Sequence, residues 1–351
     1  MASLFVVGWH AGGEVGLRGW NVLQGGIEIF FLISGFVIWT ITADRPPSPA
    51  LFLKRRLARI VPFYWAITTA TVAIGLIAPH LLQTLKLDPA HVLASYVFLP
   101  WPNPTPGVGM RPLVIPGWTL NYEMAFYLTF AAALFLPKAW RGMALAGVLI
   151  ALPLLGSLIG SSSPIAQFYT APLMAEIGLG VLLALLLTKA SPSPRMALAL
   201  LLGGAALAVI GGQIWDGDGV TRLVLLCIPA AMVMVGAVTL DRGGKVPTIA
   251  LPKALGDASY ALYMIHPLML SAMAQLWRRT PAHLLPGWTF VAVSLIATAA
   301  AGLVIHVLIE RPLTEWLQRR LKLSRASTPI FPSMSALCAS MVKNPFKVVR
   351  N

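Results

Sequence analysis

The sequence predicts an all-α polytopic membrane protein, with about ten transmembrane helices around a polar tunnel. Of its 351 residues 57% are hydrophobic and only 11% charged, where a soluble domain carries about a quarter. Apolar runs near 20 residues, the length that spans hydrocarbon as a helix, recur along the chain. Basic residues gather between those runs. The formal net charge of +14 therefore reads as loop charge beside a membrane. A nucleic-acid partner is not expected, because no basic stripe interleaved with aromatics is present.

Taken in order, the chain opens on SLFVVGWHAG, an apolar stub too short to span. It lacks the basic start and small-residue cleavage site of a signal peptide. It reads as the far end of a first helix whose beginning is missing. Full runs follow at about 25–43, 60–80, 117–136, 141–160, 171–189, 197–213, 221–240, 254–276 and 287–309. If the 43–59 loop is cytoplasmic, alternation places 20 of the 26 lysines and arginines inside, as the positive-inside rule requires. A complete first helix would then start inside, which gives ten spans in the inner membrane with both termini cytoplasmic. Residues 1–323 form the membrane domain. The basic, aperiodic segment 324–351 is expected to be a loosely ordered cytoplasmic tail near anionic lipid. The longest outer loop, about 81–116, carries PWPNPTPG and reads as irregular. Cys227 and Cys338 have neither metal-ligand nor disulfide-framework spacing.

That topology sorts the polar groups held inside the membrane. Ionisable residues there are costly and are functional candidates. His10 falls near the outer end of the stub and Glu28 in the first turn of the next helix. Glu123 falls about 9 Å down its helix from the same side, at 1.5 Å per residue. The three are expected to converge on one half of the bilayer, His10 as a general base beside a carboxylate. The structural alternative is that each carboxylate only ties helices together. At the inner side Arg55, Arg56 and Arg59 share a helical face. They read either as topology signals or as a fork for the phosphates of a cofactor with a long arm. His266 reads as a buried structural histidine or as a lining residue, with Pro267 loosening the helix beside it. His306 and Glu310, four residues apart, read as a structural pair. Glu176 and Asp257 lie near helix starts, where the dipole favours anions. Ser34, six residues past Glu28, reads as packing rather than as a nucleophile.

Five segments in order, GGIEIFFLISGFVI, FLKRRLARIVPFYW, PGWTLNYEMAFYL, LGDASYALYMIHPL and IERPL, resemble the integral-membrane acyltransferase family 3. The likeness is closest to its exopolysaccharide O-acetyltransferases of the ExoZ type and runs from about residue 4 to 317. The resemblance implies acyl transfer from a cytoplasmic acyl-CoA, acetyl-CoA in the O-acetyltransferases, to a sugar hydroxyl, with no metal. It implies that His10, in GWHAG, is catalytic and that Glu28 pairs with it. It also implies that Arg56 and Arg59 belong to the CoA site and that Glu123 is the acidic residue of the W-(T/S)-L-x-x-E segment. The acceptor would be a glycan, lipid-linked or free. The family places an arginine ten residues before that histidine, and here the sequence begins nine residues before His10. A late-assigned start or a catalytically dead copy are the two readings of that departure. A transporter of a sugar or lipid-linked glycan remains the alternative from another class, since ten spans with midplane ionisable groups fit it too.

Overall fold

Each of the nine full runs is helical in the computed structural model, and so is the stub. The structure describes residues 2–323 apart from 18, 20, 83, 84, 216–218 and 245–248. Cys338 and the tail expected to be loosely ordered lie outside the described residues. The first half comprises α1 (Ala2–Glu14), α2 (Gly25–Thr42), α3 (Pro49–Ile77), α4 (Pro89–Tyr96), α5 (Trp118–Ala133), α6 (Lys138–Ile159) and α7 (Pro164–Tyr169). The second comprises α8 (Leu173–Lys189), α9 (Pro194–Ile214), α10 (Val220–Arg222), α11 (Ile228–Arg242), α12 (Ala250–Asp257), α13 (Ser259–Arg279), α14 (Gly287–Ile305) and α15 (Arg311–Arg320). No strand occurs among the described residues. Among the described residues, seven helical stretches are long and apolar enough to cross a membrane. The two expected spans outside that set are α5, with 16 residues, and α13, which carries His266 and two terminal arginines.

Local sequence explains where many helices begin. Ser48, Asp88, Ser163 and Ser193 each precede a proline, and each side chain accepts a backbone N–H of the first turn. The cap satisfies an orphan donor, and proline at the first helical position loses nothing there. At the far ends, basic side chains close the helices. Arg141 donates to the carbonyls of Leu134 and Leu136 at 3.1 and 3.0 Å, and Arg242 to that of Leu187 at 2.9 Å. Residues counted as topology signals thus also cap helix C-termini, where cations are favoured.

Backbone proximity sets the central packing. Gly35 of α2 lies against the carbonyl of Ile177, and Gly180 of α8 against that of Leu32. A side chain at either glycine would collide with the other backbone, so α2 and α8 cross at the closest approach helices allow, as small-residue interfaces in membranes do. The aromatic core built around this crossing takes in α2, α3, α5, α6, α8, α11 and α13 and includes Phe31, Phe52, Tyr64, Phe126 and Phe130. A second, smaller core of Val7, Ala11, Leu262, Leu270, Ala274, Phe290 and Val291 joins α1, α13 and α14. Helix α13 thus packs in both cores.

The stretch 97–114, which holds PWPNPTPG, is irregular as expected, and α4 precedes it. Helix α4 packs on α3, where the Trp65 indole donates to the Tyr96 carbonyl at 2.9 Å. Phe98 takes a left-handed backbone conformation, φ 57°, and stacks 4.8 Å from Tyr64. His91 Nε2 donates to the Arg111 carbonyl at 2.9 Å, and the Leu113 N–H to Ser95 Oγ at 2.9 Å. The stretch after α4 is therefore a lid over the start of α5. Gly117, just before that helix, lies directly against the Tyr64 ring.

Candidate active site

His10 stands in the last turn of α1 with its ring exposed. Trp9 meets it edge-on, centroids 4.5 Å apart, and His266 of α13 lies 5.3 Å away with the two planes at 36°. A cavity of about 470 Å³ opens at this point, with Trp9, His10, Gly13, Glu14 and Asn21 in its wall. Arg278 faces Glu14 at 3.5 Å across its rim, holding the ends of α1 and α13 together. Arg111 of the lid lies over the Trp118 ring at 4.5 Å and acts electrostatically on His10 and Tyr122.

His266 is 2% exposed, and the residue after it explains its orientation. A helical N–H bonds the carbonyl four residues back, and proline has none to give. For Pro267 that carbonyl belongs to Tyr263, and His266 Nδ1 sits 2.6 Å from it. The side chain occupies the acceptor that the proline left open. A carbonyl only accepts, so Nδ1 carries the proton and the lone pair of the neutral ring is on Nε2.

Glu28, expected beside His10, faces another way. It is fully buried at the start of α2, and its Oε1 is 2.6 Å from Arg222 Nη2. Glu176, also fully buried, brings Oε1 to 4.0 Å from Arg222 Nε, and Trp215 covers the guanidinium at 5.3 Å. Among the described residues no hydrogen bond joins Glu28 to His10. The partner of Glu28 in this structure is Arg222. The physical reason is charge: a carboxylate in the bundle takes the strongest buried partner within reach, and an arginine outbids a neutral imidazole. Sequence reading missed Arg222, which sits at the mouth of an apolar run. The available signal was two carboxylates, Glu28 and Glu176, that needed a counter-charge. The helix after Arg222 widens into a π turn over Leu223–Cys227. Pro229 supplies the cause, because it cannot bond the Leu225 carbonyl, against which Gly211 of α9 packs instead.

Glu123 also leaves the expected group. Ser34 donates to its Oε1 at 2.9 Å, and its side chain shares a hydrogen bond with Tyr127. Arg56, 6% exposed and lying 5.5 Å over the Phe52 ring, and Arg59 both act electrostatically on it. So Glu123 belongs with the arginines of α3, and the expected convergence of His10, Glu28 and Glu123 resolves into three separate clusters. Ser34 serves as a hydrogen-bond donor to a carboxylate. His306 Nδ1 and Glu310 pair at 2.8 Å as expected, within a second π turn that precedes Pro312. No group of three His, Cys, Asp or Glu side chains that could hold a metal ion occurs among the described residues.

The match of an acyltransferase-domain model to residues 1–307 makes this helical bundle a multi-pass membrane transferase of acyl groups. The chain belongs to the acyltransferase-domain family (acyltransferase family 3), whose model matches residues 1–307. It is 33% identical over 311 residues to the exopolysaccharide production protein ExoZ of Rhizobium meliloti (strain 1021), covering 87% of this chain and 93% of that one. It is 27% identical to the acyltransferase MdmB of Streptomyces mycarofaciens, over 86% of this chain and 84% of that one. Nodulation protein 10 of Rhizobium leguminosarum bv. viciae is 26% identical, over 82% and 81% of the respective chains. No solved structure gives a significant match.

Proposed function

We propose that this acyltransferase moves an acyl group, acetyl in particular, from cytoplasmic acyl-CoA to a hydroxyl of an exopolysaccharide or another cell-surface glycan, lipid-linked or free. The observation that carries the reading is His10, an exposed imidazole at the edge of a cavity, set against a buried one. The name of the relative from R. meliloti supports the class of acceptor. In this reading the chain lies in the inner membrane with both termini cytoplasmic, and the cavity faces outward.

The donor and acceptor approach from opposite ends. Arg56 and Arg59 hold phosphate oxygens of the donor, which planar guanidinium does better than ammonium. Glu123, which accepts a hydrogen bond from Ser34, supplies a negative charge that acts on both arginines. In this reading the acyl-bearing arm passes through the bundle toward His10. At the far end His10 accepts the proton of the sugar hydroxyl as its oxygen attacks the thioester carbonyl. The C–S bond breaks, and the departing thiolate takes the proton back from His10. Glu28 contributes by anchoring the start of α2 through Arg222.

The test is transfer of labelled acetyl from acetyl-CoA to glycan in membranes. Loss of a general base costs about 10²–10⁴-fold in rate. His10→Gln, which keeps hydrogen bonding but takes no proton at neutral pH, is expected to fall by that amount at parental membrane abundance. Acylation by His10→Gln at near-parental rate would sink the proton-transfer role.

A further inference from the structure

We infer that His266 is the positioning residue of His10, fixing which nitrogen of the base faces the acceptor. The inference rests on the proposed role of His10 as base. With Glu28 committed to Arg222, the orienting partner has to come from elsewhere. His266 meets the three requirements of that task. Its ring is immobile, being 2% exposed and tied by Nδ1 to the Tyr263 carbonyl. Its tautomer is set by that bond, so Nε2 is an acceptor. It is also close enough. Two imidazoles joined by an in-line N–H···N bond of about 2.9–3.0 Å have centroids roughly 5.2 Å apart, and these two are 5.3 Å apart. His10 is the exposed member and borders the cavity, so the bond forms by rotation of His10 and not of His266.

Once formed, the bond takes the N–H of His10 and leaves its second nitrogen with the lone pair toward the cavity. Proton transfer then runs from the sugar hydroxyl to that nitrogen, and the His10 cation is held by the neutral acceptor on His266 until thiolate recovers the proton. The dipeptide His266-Pro267 is the device. Proline empties the Tyr263 carbonyl, the histidine fills it, and the lone pair is presented to α1.

Two variants separate positioning from packing. His266→Phe keeps a ring in the same space but has no acceptor. Pro267→Ala restores a backbone N–H to the Tyr263 carbonyl, which competes with Nδ1 while mending the helix. Both are expected to lower kcat at least about tenfold, with the apparent KM for acetyl-CoA and for glycan within about twofold of parent. Pro267→Ala should do so without loss of thermal stability. His266→Gln, whose side-chain carbonyl can accept from His10, should recover part of the rate lost in His266→Phe. In the His10→Ala background, His266→Phe should cost nothing further, because the pair acts as a unit. Parental kcat in Pro267→Ala and His266→Phe, with acetyl transfer intact, would overturn the inference and leave the proposed function standing. Absence of acyl transfer to any glycan by the parent protein would overturn the function instead.

Discussion

Replacing Arg222 by methionine keeps side-chain length and removes the guanidinium from between Glu28 and Glu176. Both carboxylates are fully buried and Arg222 is 8% exposed, so water cannot take its place. At 2.6 Å between Oε1 and Nη2 the charge centres are roughly 4 Å apart, worth about 4 kcal/mol at an effective dielectric of 20. Removing one member of a buried pair typically costs about 3–5 kcal/mol, most of it the penalty of the partner left behind. Arg222→Met is therefore expected to lose about 3–5 kcal/mol, with low abundance in membranes. Unfolding of the purified protein by titration with a denaturing detergent would measure it. Adding Glu28→Gln and Glu176→Gln to that variant should restore much of the loss, because no buried charge then lacks a partner. An Arg222→Met protein that unfolds with the parent would refute the argument that this triad holds α2, α8 and the end of α10 together.

Other outcomes follow from the same geometry. Arg56→Ala and Arg59→Ala should raise the apparent KM for acyl-CoA, each removing charge-assisted bonds of about 1.5–3 kcal/mol, and lysine at either position should recover only part of it. Donor saturation unchanged in both would make them topology signals alone. A side chain added at Gly13 meets nothing within 4 Å, so Gly13→Leu fills the cavity beside His10. Initial-rate kinetics should show a higher KM for glycan and an unaltered one for acyl-CoA. His306→Ala leaves buried Glu310 without its 2.8 Å partner, at a cost of about 1–3 kcal/mol. Immunoblotting should show reduced abundance, and the rate per molecule should stay within about twofold of parent.

The helices were legible because an apolar run of spanning length admits few other readings. All nine full runs are helical, seven of the described stretches are long and apolar enough to span, and the two outside that set, α5 and α13, are the ones that carry Glu123 and His266. Partnership between charges was harder to read. Counting Arg222 among outer-loop residues hid it from the two carboxylates it serves. The partner of Glu123 was hidden as well, because Ser34, which donates to it, lies 89 residues away in the chain and no linear pattern pairs them. The His-Pro pair was visible, yet its effect on the tautomer needed the 2.6 Å bond to be seen.

Helix α13 belongs to both cores: Leu262, Leu270 and Ala274 pack with α1 and α14, while Ala261, Met264 and Ile265 pack into the larger core. The Tyr260 hydroxyl also donates to the Ile60 carbonyl of α3 at 2.9 Å. Within the larger core α2 touches both charge clusters, through Glu28 and through Ser34, and the glycine crossing with α8 locks it in place. His266 is thus carried by the helix that joins the smaller core to the larger, so the placement of the two imidazoles against the bundle is set by the packing of α13 itself.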